Sequence, residues 1–207
     1  MFDITLLNKT INIISKRNSG KSVLIKYLVN KEKKLFDRIF IISPSEQINS
    51  FYESLTPSKF IFDSFNETWC NNIIQKMTDS MLKKENFHIL IIFDDCLCDS
   101  NIRNSESLRV IFTRGRHINI SIITSLQYIH QLLPVCRTNA DFVFAGNSTR
   151  NSIELLEQDY NTFLKKDTFF TMYKLAIKNY GFFVINNGVV KDTTDVNSIY
   201  GRFLANI

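Results

Sequence analysis

Gly20, Lys21 and Ser22 stand together in the run Ile11-Asn-Ile-Ile-Ser-Lys-Arg-Asn-Ser-Gly-Lys-Ser22. A lysine among small residues, entered from an apolar run and left by an amphipathic one, is suited to holding phosphates. Backbone N–H groups of such a loop and the positive end of the following helix can surround the anion. Lys21 would reach the β- and γ-phosphates as a point charge, and the Ser22 hydroxyl would ligate magnesium. Gly20 lets the backbone approach without a Cβ in the way. The pattern G-x-x-x-x-G-K-[ST] is met at its last three specified positions and departs at its first, where Ser15 replaces glycine. Nucleotide contacts are therefore expected from Ser15, Lys16, Arg17, Asn18, Ser19, Gly20, Lys21 and Ser22, with ATP and Mg2+ as ligands.

A second chemical signal closes the run His88-Ile-Leu-Ile-Ile-Phe-Asp-Asp95. An apolar strand ending in two carboxylates is the other half of a nucleotide-hydrolysing site. Asp94 would hold magnesium through water, and Asp95 would take the proton of the attacking water. A third strand leads into Ser125 and Gln127. If it neighbours the loop strand, Gln127 lies beside the γ-phosphate and can orient that water.

These groups need a scaffold that brings strand ends together. Short runs rich in isoleucine, valine and phenylalanine alternate with longer amphipathic stretches, which predicts an α/β fold with a mainly parallel sheet. Strands are expected over residues 11–14, 38–42, 59–62, 88–93, 118–124, 141–144 and 180–185. Several are apolar at successive positions, as in strands covered on both faces. Helices are expected over residues 20–30, 67–84, 105–114 and 148–164, the second capped by Asn66 and striped with Ile73, Ile74, Met77 and Met81. The tail beyond residue 186 carries little pattern and is left unassigned.

At 207 residues, 44% apolar and 22% charged, the chain suits one globular domain, with a core over about residues 8–186. A net charge of +5 is compatible with a polyanionic partner without requiring one. Cys96 and Cys98 form a C-x-C pair with no second pair to complete a zinc site, which points to reduced thiols in a soluble protein. The longest apolar run, residues 89–93, is too short to span a bilayer.

The loop, the Asp94-Asp95 strand end, the segment Arg114-Gly-Arg-His-Ile-Asn-Ile-Ser121 and Gln127 together resemble the genome-packaging ATPases of large eukaryotic DNA viruses and their virophages, within the FtsK–HerA superfamily. The similarity continues through Leu133-Pro-Val-Cys-Arg-Thr-Asn-Ala-Asp-Phe-Val-Phe144 and covers roughly residues 11–146. It implies a P-loop three-layer sandwich of the additional-strand (ASCE) type, and ATP hydrolysis coupled to translocation of double-stranded DNA. It also implies a homo-oligomeric ring of five or six subunits, docking to capsid proteins, and residence in the virion or viral factory. In such rings an arginine from one subunit completes its neighbour's site. By resemblance Arg137 is the first choice, ahead of Arg114 and Arg116 and then Arg150. His117 reads as a packing residue or a cap at strand entry.

Two other classes are compatible with a P-loop. A nucleoside or nucleotide kinase would need an Asp-Arg substrate clamp and an arginine-rich lid, and no such lid follows residues 118–124. An ATP-binding structural protein of a capsid would tolerate Ser15 and the second aspartate. A GTPase is excluded, because Thr138-Asn-Ala-Asp141 lacks the lysine of a guanine clamp and precedes its strand.

Overall fold

The computed structural model describes residues 4–46, 50–97, 100–188 and 195–205; Cys98 lies outside them. The elements are β1 (Thr10–Ile14), α1 (Lys21–Glu32), β2 (Arg38–Ile42), β3 (Ile61–Phe62), α2 (Glu67–Leu82), β4 (Ile89–Asp94) and α3 (Glu106–Arg114). They continue with β5 (Ile120–Leu126), α4 (Pro134–Thr138), β6 (Phe142–Ala145), α5 (Arg150–Tyr160), α6 (Lys166–Ala176), β7 (Phe182–Asn186) and β8 (Tyr200–Phe203).

Among the described residues eight strands join one sheet in the order β3-β2-β4-β5-β1-β6-β7-β8. Every pairing from β3 to β6 is parallel, and β7 and β8 then add on antiparallel. β1, β4 and β5 are buried at every position, which explains why apolar residues run on successively through most of β4 and why the polar residues of β1 and β5 are buried too. Alternate residues feed two cores. Ile11 and Ile13 pack with Leu24, Ile25, Leu28 and Val29 of α1, while Ile14 faces the other layer with Leu108, Ile111 and Leu156 of α3 and α5. The fold is therefore the three-layer P-loop sandwich, with β5 as the additional strand between loop strand and acidic strand.

Local chemistry sets the element ends. The Asn66 side chain accepts from the Trp69 N–H and opens α2, as its position predicts. Residues 118–119 do not begin β5: Gly115–Ile118 is a 3-10 turn, Asn119 has φ 56°, and extended backbone starts at Ile120. His117 is exposed on that turn rather than packed. Likewise Ser58–Phe60 is a 3-10 turn, so β3 keeps only two residues.

The helix expected over residues 148–164 is shorter, because Thr149 caps it and it stops at Tyr160. Asn161 then makes two hydrogen bonds with the backbone of Leu164 and turns the chain into α6. α6 went unassigned in the sequence, although Phe169, Met172, Tyr173 and Ala176 are spaced for one face. Its N-terminal neighbour Lys165 makes no side-chain cap, so the usual start signal is missing.

The unassigned tail also has structure. Phe203 of β8 is 6% exposed and sits edge-on to Tyr27 and Phe144, with centroids 5.7 and 5.6 Å away. Phe203→Ala should therefore lower unfolding free energy by about 3 kcal/mol in urea denaturation. A loss below about 1 kcal/mol would mean that β8 contributes nothing to the core.

Candidate functional site at the carboxyl edge of the sheet

β1 runs out between β5 and β6, and the chain turns there into the loop. The Ser15 N–H donates to Leu126 O at 2.9 Å and the Lys16 N–H to Asn147 O at 2.8 Å, so both neighbouring strands anchor the loop base. Asn18 (φ 55°) and Gly20 (φ 86°) take the left-handed conformations that bend the loop into α1. Asparagine and glycine tolerate this region best. Lys16, Arg17 and Asn18 are exposed, whereas Lys21 is 6% exposed. The Lys21 ammonium donates to the carbonyls of Ser15 and Lys16 at 3.0 and 3.1 Å, and lies 3.7 Å from Asp95 Oδ2.

Ser15 takes the place of the motif's first glycine by filling space that a neighbour leaves open. Its side chain is fully buried and donates to Asn147 O at 3.0 Å. Across from it stands Gly146. A Cβ there would meet the Ser15 hydroxyl well inside contact distance, and would come 2.9 Å from both Ser15 Cβ and the Phe182 ring.

Register carries the acids to the same edge: Asp94 on β4 is opposite Ser125 on β5, which is opposite Ile13 on β1. Asp94 is 5% exposed and its Oδ2 accepts from the Tyr52 hydroxyl at 2.9 Å. Burial raises the Asp94 carboxyl above the ordinary carboxylate range and Asp95 adds to the rise, while the Tyr52 hydroxyl and Lys21 oppose it. Asp95 follows at φ 49°, a strained placement at the strand end, with its N–H donating to Ser125 O at 3.1 Å. Gln127 Nε2 donates to Asp95 Oδ2 at 3.3 Å. Lys21, Asp95 and Gln127 are thus brought together, with Asp94 beside them.

Asp94 Oδ1, Asp95 Oδ1 and Ser125 Oγ are buried without a hydrogen-bond partner. Unsatisfied acceptors in a buried site are costly unless something else meets them. One buried carboxylate near a loop serine, with phosphate oxygens as further ligands, is a donor set that suits Mg2+. Tyr52 is the participant that sequence reading missed. It lies 42 residues before Asp94, and is 1% exposed. Burial first, and then the charge of Asp94, raise its hydroxyl far above the usual range, so it acts here as a neutral donor. No motif marks it, because its partner is chosen by the fold.

Arg137 is not brought to this cluster. It sits on α4, 8% exposed, with its Nε 2.6 Å from Asp159 Oδ2 and its Nη1 donating to Leu132 O at 2.8 Å. Its guanidinium is committed within its own chain. Arg114 and Arg116 are exposed, and Arg150 is exposed and pairs with Glu154 along α5.

A loop at the end of β1, an interposed β5 and an acidic end on β4 define a P-loop NTPase fold. Residues 3–198 match the poxvirus A32 protein family, and the chain belongs to that family. It is 28% identical over 186 residues to protein 015R of Frog virus 3 (isolate Goorha), covering 87% of this chain and 57% of that one. It is also 30% identical over 176 residues to protein 075L of Invertebrate iridescent virus 6, covering 84% of this chain and 68% of that one. The chain thus spans little more than half to two thirds of these relatives. Among solved structures it resembles B204, the DNA-packaging ATPase from Sulfolobus turreted icosahedral virus. The TM-score is 0.64 at 18% identity, over 98% of this chain and 100% of that one. The genome packaging NTPase B204 of Sulfolobus turreted icosahedral virus 2 in complex with AMPPCP gives a TM-score of 0.61 at 15% identity, over 86% and 92% of the two chains.

Two outcomes follow from this geometry. Gly146→Ala should cost about 2 kcal/mol through its clash with Ser15 and weaken nucleotide binding. In a Ser15→Gly background part of that loss should return, giving a coupling of about 1 kcal/mol in a double-mutant cycle; strict additivity would mean the two sites do not touch. Asp94→Asn should raise the urea midpoint in the absence of nucleotide and magnesium. The folded carboxyl is shifted upward, so ionising it opposes folding, and the gain over wild type should grow as pH rises through the carboxylate range.

Proposed function

We propose that this chain is an ATPase that drives double-stranded DNA into a preformed viral capsid. The observation that carries the reading is the convergence of Lys21, Asp95 and Gln127 on the loop edge of an additional-strand sheet, in a member of the poxvirus A32 family. That B204 is a DNA-packaging ATPase of the same fold supports it.

The chemistry assigns a task to each side chain. The loop backbone over residues 15–22 and Lys21 hold the β- and γ-phosphates. Ser22 and Asp94 would hold Mg2+, which when bound neutralises charge developing on the phosphoryl oxygens. Gln127 orients the attacking water, and Asp95 accepts its proton. Lys21 reaches the phosphates by exchanging the Ser15 and Lys16 carbonyls for phosphate oxygens, a stronger charge-assisted contact.

The working unit is a homo-oligomeric ring that acts in the virion or viral factory and docks on capsid proteins. An arginine from a neighbouring subunit completes each site. For Arg137 to be that arginine, its Asp159 pair must open first, so the exposed Arg150, Arg114 and Arg116 compete for the role. Exposed lysines at residues 31, 33, 34, 165 and 166 are available for sequence-independent phosphate contacts, which weaken steeply with salt.

The test is ATP hydrolysis with and without long double-stranded DNA. DNA of any sequence should stimulate turnover, and Lys21→Ala and Asp95→Asn should abolish it. Arg137→Ala should lose about 3 kcal/mol of stability along with activity. Arg150→Ala should lose activity with its midpoint unchanged, and regain it when mixed with Lys21→Ala subunits. Turnover indifferent to DNA, with phosphoryl transfer to a small acceptor, would replace the translocase by a kinase.

A further inference from the structure

Between α6 and β7 the chain passes through a short turn, Lys178–Tyr180, with two consecutive residues in left-handed backbone. Asn179 has φ 54° and ψ 52°, and Tyr180 has φ 58°. Asparagine takes this region readily, but for a bulky aromatic it is an outlier that costs about 1 kcal/mol or more. Nothing in the core requires it, since the Tyr180 side chain is 74% exposed. Strain that holds an aromatic ring out of the core is most simply explained by a partner for the ring.

The surroundings identify that partner. Tyr180 and Asn179 form a shared wall between two cavities that border the phosphate loop. One, of about 490 Å3, is lined by residues 16–19 of the loop together with Asn147 and Gly181. The other, of about 650 Å3, is lined by Gly20 and Val23 at the start of α1 and by Phe182, Leu204 and Ala205. Both have the size of small-ligand sites. Gly20 and Val23 flank Lys21 and Ser22, so this wall stands beside the residues that would hold the phosphates.

We propose that Tyr180 is the stacking platform for the nucleobase, and that the base enters the apolar cavity beside Val23, Phe182 and Leu204. This deepens the nucleotide-site reading above and rests on it. Asn179 brings the polar side chain of this lining, and because its carboxamide both donates and accepts it can meet the edge of either purine, so selection follows stacking area. Purines bind more tightly than pyrimidines, with adenine and guanine little separated. Leu204 and Ala205 come from just beyond β8, which makes the segment after the tail strand part of the nucleotide pocket.

Titration calorimetry with ADP, GDP, CDP and inorganic tripolyphosphate, each with Mg2+, tests the assignment on the full chain. Wild type should bind ADP and GDP within about threefold of one another, and CDP about tenfold more weakly. Tyr180→Ala should weaken ADP about tenfold while leaving tripolyphosphate unchanged; Tyr180→Phe should match wild type. Tyr180→Gly should lose ADP affinity equally yet keep or raise the urea midpoint, because glycine relieves the strain. A Tyr180→Ala protein that binds ADP as wild type, or that loses ADP and tripolyphosphate alike, overturns the platform. Lys21→Ala should lose both ligands, and unchanged tripolyphosphate binding there would overturn the phosphate-loop reading itself and the platform with it.

Discussion

Parallel strands deliver their carboxyl ends to one edge of a sheet, where helix N-termini leave N–H groups without intrahelical partners. In this molecule β5 separates β1 from β4, so the phosphate loop and the acidic pair stand two strand spacings apart, about 10 Å. That width admits a phosphoryl group and a water between them. Lys21 reaches across from the loop and Gln127 reaches in from the end of β5, both meeting Asp95 Oδ2. The interposed strand sets the spacing between acid and phosphate along the shared edge.

The same edge shows how a departure from a motif is absorbed. A glycine at the first loop position normally leaves room for the backbone to turn. Here the room is supplied from the next strand, where Gly146 faces Ser15. The exchange has a benefit, because the Ser15 hydroxyl donates to Asn147 O and ties the loop base to β6. A net intramolecular hydrogen bond is worth about 1 kcal/mol, enough to offset part of the entropy of ordering a loop. The polar interior nearby is less well satisfied. Three buried acceptor oxygens at Asp94, Asp95 and Ser125 have no partner, and Asp95 is held at positive φ. Such sites are stable only because the strands around them are over-determined by packing.

What the sequence made legible were features set by local chemistry: the loop, the doubly covered strands, the Asn66 cap and the acids at a strand end. The interposition of β5 followed from the resemblance together with Gln127, and the strand order bears it out. Features set by distant partners were not legible. Tyr52 earns its role only because the segment before β3 folds over Asp94. β8 is a four-residue strand whose burial comes from Tyr27 and Phe144, far away in the chain. α6 had a readable stripe but no capping residue to announce it. The early start given to β5 failed because a strand-like run, His117-Ile118-Asn119-Ile120, hides a left-handed asparagine.

Arg137 shows what a role in a neighbour's site would cost a side chain already paired within its own chain. Removing one partner of a buried ion pair typically costs 3–5 kcal/mol, because the other charge is left desolvated. Arg137 and Asp159 form a part-buried pair that lies toward the low end of that cost, with side chains 10% and 19% exposed, and the Arg137 carbonyl also accepts from Tyr160 at 2.7 Å. A subunit contact that recruited this guanidinium would have to supply Asp159 with another cation at the same moment. Arg150 carries no such burden: its side chain is 89% exposed and, among the described residues, its ion pair is a solvent-screened one along its own helix, worth about a few tenths of a kcal/mol. If a neighbouring nucleotide is to attract an arginine, the one that can move at least cost has the advantage. Arg150 is therefore the arginine that can leave its present contact at least cost, with Arg137 acting as the internal brace that holds α4 against α5.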